Sequence, residues 1–394
     1  MSTTRHANID VLIQGAGIGG LTLAIALLQR GYSVQLVERS SGLSEIGAGI
    51  WMAANPMQVF DRLGFAGKVA AAGWPVQRIF LKDYRGDTLE ASDLRPIAQR
   101  FGFETVALHR SVLQKVLFDQ LPPGIVAFGA SVEELHPVED AIQAQLTNGS
   151  SLTAKIVVGA DGINSRIREF ISLGGEKRYS GSSSYRGIAR GARLASLEDH
   201  DAYEIWAPGC RVGFSRINAQ DYYWYMTFES PAGLHSSPDQ RRSHADSLFR
   251  TYFPQWIGLL ESTETEEVLH TDISDLKRLR KWSSGRVGLI GDAAHATTPN
   301  LGQGGAMAIE DALSLANSFQ QAGLNADAWE IFEKQRRKKV DWIVATSWSI
   351  GKICHIRNRF GCSLRNIALK QVLSKMSHRD SQIRKLYAID EIAR

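Results

Sequence analysis

Apolar residues gather in short runs that end on glycine, and after each run the periodicity changes from that of a strand to that of a helix. Val11-Leu12-Ile13 predicts a buried strand, and beyond Gly15 the positions Ile18, Leu21, Ala24, Ile25 and Leu28 recur on one helical face until Gly31 supplies a stop. Val34 to Val37 predicts a second strand, ending on Glu38. Ile156-Val157-Val158 and Val287 to Ile290 predict two more, running into Gly159-Ala160-Asp161-Gly162 and into Gly291-Asp292-Ala293-Ala294-His295. The run Ala306 to Phe319 is helical in pattern, with Met307, Ile309, Ala312, Leu313 and Ala316 as its buried face. From about 178 to 270 the character changes to short aromatic-rich segments broken by Pro, Gly and Asn, which predicts an antiparallel sheet. The chain from 326 onwards reads mostly as helix.

The first glycine cluster, Gly15-Ala16-Gly17-Ile18-Gly19-Gly20, stands between strand and helix. In that context Gly15 permits the tight turn, Gly17 lets backbone N–H groups approach a diphosphate, and Gly20 lets the helix close on the strand. The diphosphate sits at the helix N-terminus, where free N–H groups and the helix dipole favour an anion. Glu38 then accepts from the ribose hydroxyls, and Arg39 beside it is counted among the cofactor contacts. Alone, this unit does not say which dinucleotide is bound. Later glycines at 302, 304 and 305 leave N–H groups uncovered before the helix of 306–319, a second helix N-terminus suited to stabilising negative charge on a ligand. A plain helix start with packing glycines is the alternative.

The fold class is α/β. A Rossmann-like nucleotide-binding domain (1–75, 99–175 and 271–325) is interleaved with an antiparallel substrate-binding sheet (76–98 and 178–270) and followed by a C-terminal helical region, 326–394. Composition adds exclusions: 44% hydrophobic with 22% charged is ordinary for a globular protein, and a net charge of +4 gives no ground for nucleic-acid binding. The three cysteines, Cys210, Cys354 and Cys362, lack the close spacing of a metal or disulfide framework, so no metal is expected and a reducing cytoplasm is. The polar start MSTTRHANID leads to no expectation of a signal peptide, and apolar stretches such as Leu21 to Leu28 are too short to span a bilayer.

In their order and local context, the GAGIGG, GADG and GDAAHATTPNLGQGG motifs resemble the class A flavoprotein monooxygenases, the single-component aromatic hydroxylases, over nearly the whole chain. The resemblance implies non-covalent FAD, with Gly15, Gly17, Gly20 and Glu38 on its ADP half and Arg110 reaching the flavin. It also implies Asp161 acting at FAD and in the passage of NAD(P)H, Asp292 holding the ribityl chain, and Pro299 with Leu301 to Gly305, including Gly302, Gly304 and Gly305, beside the isoalloxazine ring. NAD(P)H then reduces the flavin, O2 adds at flavin C4a, and the resulting hydroperoxide hydroxylates an electron-rich ring carbon. Within the class, VLIQGAGI, GDAAHATTPNLGQGGAMAIEDA and SWSIGKI resemble the 2-alkyl-4-quinolone 3-hydroxylases, while other stretches are shared more loosely with urate hydroxylases, zeaxanthin epoxidases and salicylate hydroxylases. A flavin reductase without oxygen insertion and a dinucleotide-binding regulator remain the alternatives from other classes.

Alternation along the aromatic sheet places Tyr222, Trp224 and Met226 on one face and Tyr223, Tyr225 and Thr227 on the other, one set for the core and the other for a flat cavity over the flavin. Substrate candidates are Arg186, Arg190, Trp206, Phe214, Tyr223, Trp224 and Met226. Arg186 and Arg190 share a strand face, either to recognise an acidic or carbonyl-bearing ring or simply as a solvated face. No side chain is assigned a catalytic role, because the flavin carries the chemistry; His295 and His109 are read as positioning groups. The stretch Glu333 to Lys339, followed by Val340, Trp342, Ile343, Trp348 and Ile350, pairs a basic with an aromatic face. Such a helix can lie on a membrane surface or pack on the flavin domain, and packing is the preferred reading.

Overall fold

The computed structural model describes residues 7–43, 48–194, 197–234, 236–376 and 380–392, with the backbone alone at Ala7 and over 372–376. Its largest sheet has eight strands, six of them in the order Ser283–Ser284, Val287–Leu289, Ser151–Gly159, Ala7–Gln14, Val34–Glu38 and Val126–Phe128. The four pairings from Val287–Leu289 through to Val126–Phe128 are parallel. The hairpin Val132–Val138 and Ala141–Leu146 adds to Ser151–Gly159 in antiparallel fashion. Parallel strands are covered on both faces, and accordingly Val11, Leu12, Ile13, Val157 and Val158 are all fully buried.

Helix Ile18–Leu28 departs from the one-sided face its sequence predicts: nine of its positions, from Ile18 to Leu27, are buried. The reason is a second layer. Helix Gly304–Ala322 lies across it closely enough that a Cβ on Gly19 would stand 3.0 Å from the Ala308 Cβ. A helix enclosed between a sheet and another helix has no solvent face to keep polar.

A seven-stranded sheet runs Leu269–Leu276, Lys177–Ala189, Tyr222–Glu229, Cys210–Arg216, Asp201–Ala207, Arg78–Asp83, Thr88–Asp93. It is antiparallel except where Asp201–Ala207 meets Arg78–Asp83. One face packs beneath helices Pro238–Tyr252 and Ile257–Glu261 in a core of Tyr185, Phe214, Tyr222, Trp224, Met226, Phe249 and Phe253. Phe214, Trp224 and Met226 are therefore core residues and not pocket residues, a correction to the sequence reading. Aromatics occupy both faces of this sheet, so alternation alone could not decide which side a helix covers.

A three-stranded sheet, Gly49–Met52, Thr105–His109 and Trp74–Val76, sits between the two larger ones. The chain then forms helices Ala326–Cys354, Arg359–Met376 and Asp380–Tyr387. The 29-residue helix Ala326–Cys354 buries Trp329, Phe332, Val340 and Ile343. Its apolar face is thus covered by protein and is not offered to a membrane. Among the described residues no helix is long and apolar enough to cross a membrane.

Candidate active site

Three adjacent parallel strands end side by side, and each delivers one glycine-bearing loop to the same edge of the sheet. Ala7–Gln14 leads into Gly15, Ser151–Gly159 into Ala160-Asp161, and Val287–Leu289 into Gly291-Asp292. Ligands of open parallel sheets bind at the carboxyl ends of their strands. The loops touch: Gly15, at φ +107°, lies so close to the second loop that a Cβ there would be 2.6 Å from the Ala160 carbonyl oxygen. Helix Arg110–Phe118 joins them, its Gln114 side chain donating to the Ala16 carbonyl at 2.7 Å.

The cleft edge has the features a dinucleotide needs. A Cβ on Gly17 would meet nothing within 4 Å, whereas one on Gly20 would fall 2.0 Å from the Gly15 oxygen. The first keeps the helix end open to a ligand and the second allows helix and loop to close. Neither helix Ile18–Leu28 nor helix Gly304–Ala322 has a side-chain cap or an acid in its first turn. The first intrahelical bond of the latter runs from Met307 N–H to Gln303 O at 2.8 Å, so the N–H groups of Gly304, Gly305 and Ala306 precede it. Glu38 accepts from Ala16 N–H at 2.8 Å and Ser40 N–H at 2.9 Å, which clamps the first loop onto the second strand. Asp161 caps helix Arg166–Phe170 through its Oδ2, 2.8 Å from Arg166 N, while its buried Oδ1 has no partner. Burial raises the Asp161 carboxyl pKa above its ordinary value, against the pull of Ser165 and the backbone N–H groups. These residues fit FAD.

Asp292 is exposed to solvent at the cleft, as are Arg39, Arg110, Pro299 and Gly302, with Gly304 and Gly305 half-buried. Surrounding protein raises the Asp292 carboxyl pKa, an effect its solvent contact weakens, and His295 and Arg110 pull it down. Beneath the loop, His295 Nε2 is 2.6 Å from Asp311 Oδ2, which also accepts from Gly291 N–H at 2.9 Å. Arg336, 1% exposed, donates to Asp311 at 2.7 Å and to Glu310, and Lys339 donates to Glu310 at 2.8 Å. Burial works to raise the Asp311 pKa, but His295 and Arg336 outweigh it and hold it at about 2. This buried network fixes the turn that presents Asp292, and it gives His295 a positioning role. His109 caps its helix, accepting from Ser111 N–H at 3.3 Å.

The other face of the seven-stranded sheet looks toward these loops. It carries Arg186, Tyr223, Tyr225, Arg211, Glu204 and Trp206 in cross-strand register. Tyr223 lies on Gly49, where a Cβ would come within 2.2 Å of the ring, and Trp51 donates to Ser215 Oγ at 3.0 Å. Tyr225 crosses Gly213 to donate to Glu204. Arg211, 2% exposed, donates to Glu204 at 2.8 Å, to Thr227 at 3.1 Å and to Asn300 beside Pro299. Trp206 Nε1 donates to Glu204 at 2.5 Å. Thr227 meets His355 Nε2 at 2.9 Å, and burial together with Arg211 lowers the His355 pKa to about 4.

The comparisons agree with this geometry. Residues 8–331 match the FAD binding domain family. The chain belongs to it. Over 371 residues it is 34% identical to the aurachin C monooxygenase/isomerase of Stigmatella aurantiaca, covering 93% of this chain and 95% of that one. It is 32% identical over 372 residues to the 2-heptyl-3-hydroxy-4(1H)-quinolone synthase of Pseudomonas aeruginosa, covering 92% and 94%. Among solved structures it is similar to Klebsiella pneumoniae HpxO complexed with FAD and uric acid, at a TM-score of 0.87 and 26% identity over 96% of this chain and 97% of that one. The relatives are class A flavin monooxygenases, and this chain is an FAD-dependent monooxygenase.

Sequence reasoning named Arg186, Tyr223 and Trp206, which share the loop-facing side. Arg190 turns away to pair with Glu267 at 2.7 Å. The reading missed Arg211, Glu204, Asn300 and Trp51 as parts of the site, and gave Tyr225 only as a member of one of the two faces that could line the cavity. Only the NLG of the third motif bore a signal, since Asn300 adjoins the named Pro299.

Proposed function

We propose that this monooxygenase uses NAD(P)H and O2 to hydroxylate a planar, neutral N-heteroaromatic of 4-quinolone type bearing an apolar substituent. Gly15, Gly17 and Gly20 receive the FAD diphosphate. Glu38 and Asp292 accept from its sugar hydroxyls, and Arg39, Arg110 and Asp161 line the path along it. Pro299 and Gly302 lie beside the ring, with the Gly304 and Gly305 N–H groups at its anionic edge. Bound FAD, reduced by NAD(P)H, supplies the oxygen-activating chemistry; the chain orients the substrate, excludes water and holds the loops.

The observation that carries the substrate reading is that the buried arginine of the sheet face is already charge-paired with Glu204 and has each of its three nitrogens engaged within the protein. Arg211 spends its Nε, Nη1 and Nη2 on Thr227, Glu204 and Asn300. What is left to a ligand is aromatic surface, the Tyr223 hydroxyl and the acceptor side of the Tyr225 hydroxyl, whose proton goes to Glu204, which suits an apolar ring with one or two polar groups. An anionic phenol or urate has Arg186, which donates at 3.1 Å to Thr271 Oγ1. Stopped-flow flavin reduction with product analysis for a 4-quinolone, salicylate and urate tests the reading. Coupled formation of a hydroxylated quinolone that survives Arg186→Ala supports it. Coupled turnover of salicylate or urate that is lost in Arg186→Ala overturns it.

A further inference from the structure

Of the eight large hydrophobic residues exposed among the described residues, four fall between positions 353 and 367: Ile353, Phe360, Leu364 and Ile367. Phe360 is 75% exposed, Leu364 52% and Ile367 55%. At 3.6 residues per turn these last three form one stripe, while Cys362 and Arg365, on the opposite side of helix Arg359–Met376, are buried against the protein. Single exposed apolar residues are ordinary, but a continuous stripe along one helix marks a surface that meets something.

The charge around the stripe points to the partner. Between Asp341 and Asp380 the chain has no acidic residue, yet it carries Lys352, Arg357, Arg359, Arg365, Lys370, Lys375 and Arg379. Arg357 pairs with Glu229 at 2.9 Å and Arg365 is buried, but Lys352, Arg359 and Lys370 are exposed, the last two flanking the stripe. An apolar stripe edged by cations complements an anionic lipid surface, with the side chains entering the headgroup boundary and the cations at the phosphates; the acids the adjoining hairpin sets beside Arg359, Ile367 and Lys370 are Asp83, buried and bonded to Asn366, and the exposed Asp87. We propose that helix Arg359–Met376 docks this monooxygenase on anionic membrane surfaces, lying in the interface without crossing it. The helix is not the Glu333–Ile350 segment whose sequence first raised the idea. The docking itself does not depend on the substrate reading.

The test is co-sedimentation of the FAD-loaded protein with phosphatidylglycerol and with phosphatidylcholine vesicles. Each cation near an anionic surface contributes about a fivefold gain in partition, so three give roughly a hundredfold preference for phosphatidylglycerol, lost in high salt. The variant Phe360→Ser/Leu364→Ser/Ile367→Ser should lose vesicle binding while keeping its FAD and its oxidation of NAD(P)H in solution, and Arg359→Gln/Lys370→Gln should cut the lipid-charge preference to about fivefold, the share of the remaining Lys352. Absence of vesicle binding, or equal binding by the serine variant, overturns the proposal. So does a wild-type dimer that the serine variant converts to monomer without any vesicle binding, which assigns the stripe to self-association.

Discussion

Two alanine substitutions in the first glycine loop separate the role of binding cofactor from that of holding the fold. Gly17 has φ −72° and ψ 178° as the residue before helix Ile18–Leu28, so an alanine there is unstrained, and its Cβ meets nothing within 4 Å. In FAD-free protein the change costs about 1 kcal/mol as a poorer N-cap and regains about 0.4–1 kcal/mol from the stiffer unfolded chain, a net near zero. With FAD bound, the same Cβ occupies the approach to the diphosphate. An overpacked contact costs about 1–3 kcal/mol, a rise of roughly 5- to 150-fold in the FAD dissociation constant. Gly20→Ala acts differently, because its Cβ lies 2.0 Å from the Gly15 oxygen and 3.3 Å from the Ala160 Cβ. Alanine has no rotamer to escape a backbone atom, so helix and loop must part, and the cost of about 3 kcal/mol or more appears already in FAD-free protein. Thermal melts of FAD-stripped protein, together with fluorescence titration of FAD, read both effects. Wild-type FAD affinity in Gly17→Ala, or wild-type stability in stripped Gly20→Ala, would refute the reasoning.

Replacing Arg336 by Met leaves Glu310 and Asp311 buried with Lys339 as the main cation, and urea unfolding should show a loss of about 3–5 kcal/mol. FAD retention should weaken with it, because Asp311 holds the Gly291 N–H in place. His355, held neutral with a pKa near 4, contributes stability that is fully present above its unfolded value near 6.5 and is lost as pH falls through that window toward 4. The stabilisation at stake is about 3 kcal/mol, and His355→Gln should flatten the slope of denaturation free energy between pH 6.5 and 4. Arg110→Ala and Asp161→Ala should impair FAD binding or its reduction by NAD(P)H with circular dichroism unchanged; wild-type reduction rates in both would remove those roles from the account.

The cofactor side was legible because its constraints are local. A turn between strand and helix needs glycine at fixed offsets, and Gly15, Gly20 and Gly291 each stand where a Cβ meets a neighbouring segment within 3 Å. The substrate side resisted because its parts come together only through tertiary packing. Arg211 and Asn300 are 89 positions apart, and nothing near either announces the other. Trp224 and Tyr223 are equally good strand residues, and only the position of helix Pro238–Tyr252 decides that one is core and the other faces the site. The C-terminal helices posed a related problem: the aromatic face of Ala326–Cys354 is used internally, while the exposed stripe belongs to the next helix.

The most direct test of the central claim is isotopic: turnover of the FAD-loaded protein with NAD(P)H, a 2-alkyl-4-quinolone and 18O2, followed by mass spectrometry of the product and quantitation of hydrogen peroxide. The account predicts one labelled oxygen atom on a ring carbon, in an amount matching the NAD(P)H consumed, with little peroxide. NAD(P)H consumption that yields only peroxide or unlabelled product for every aromatic tried would contradict it.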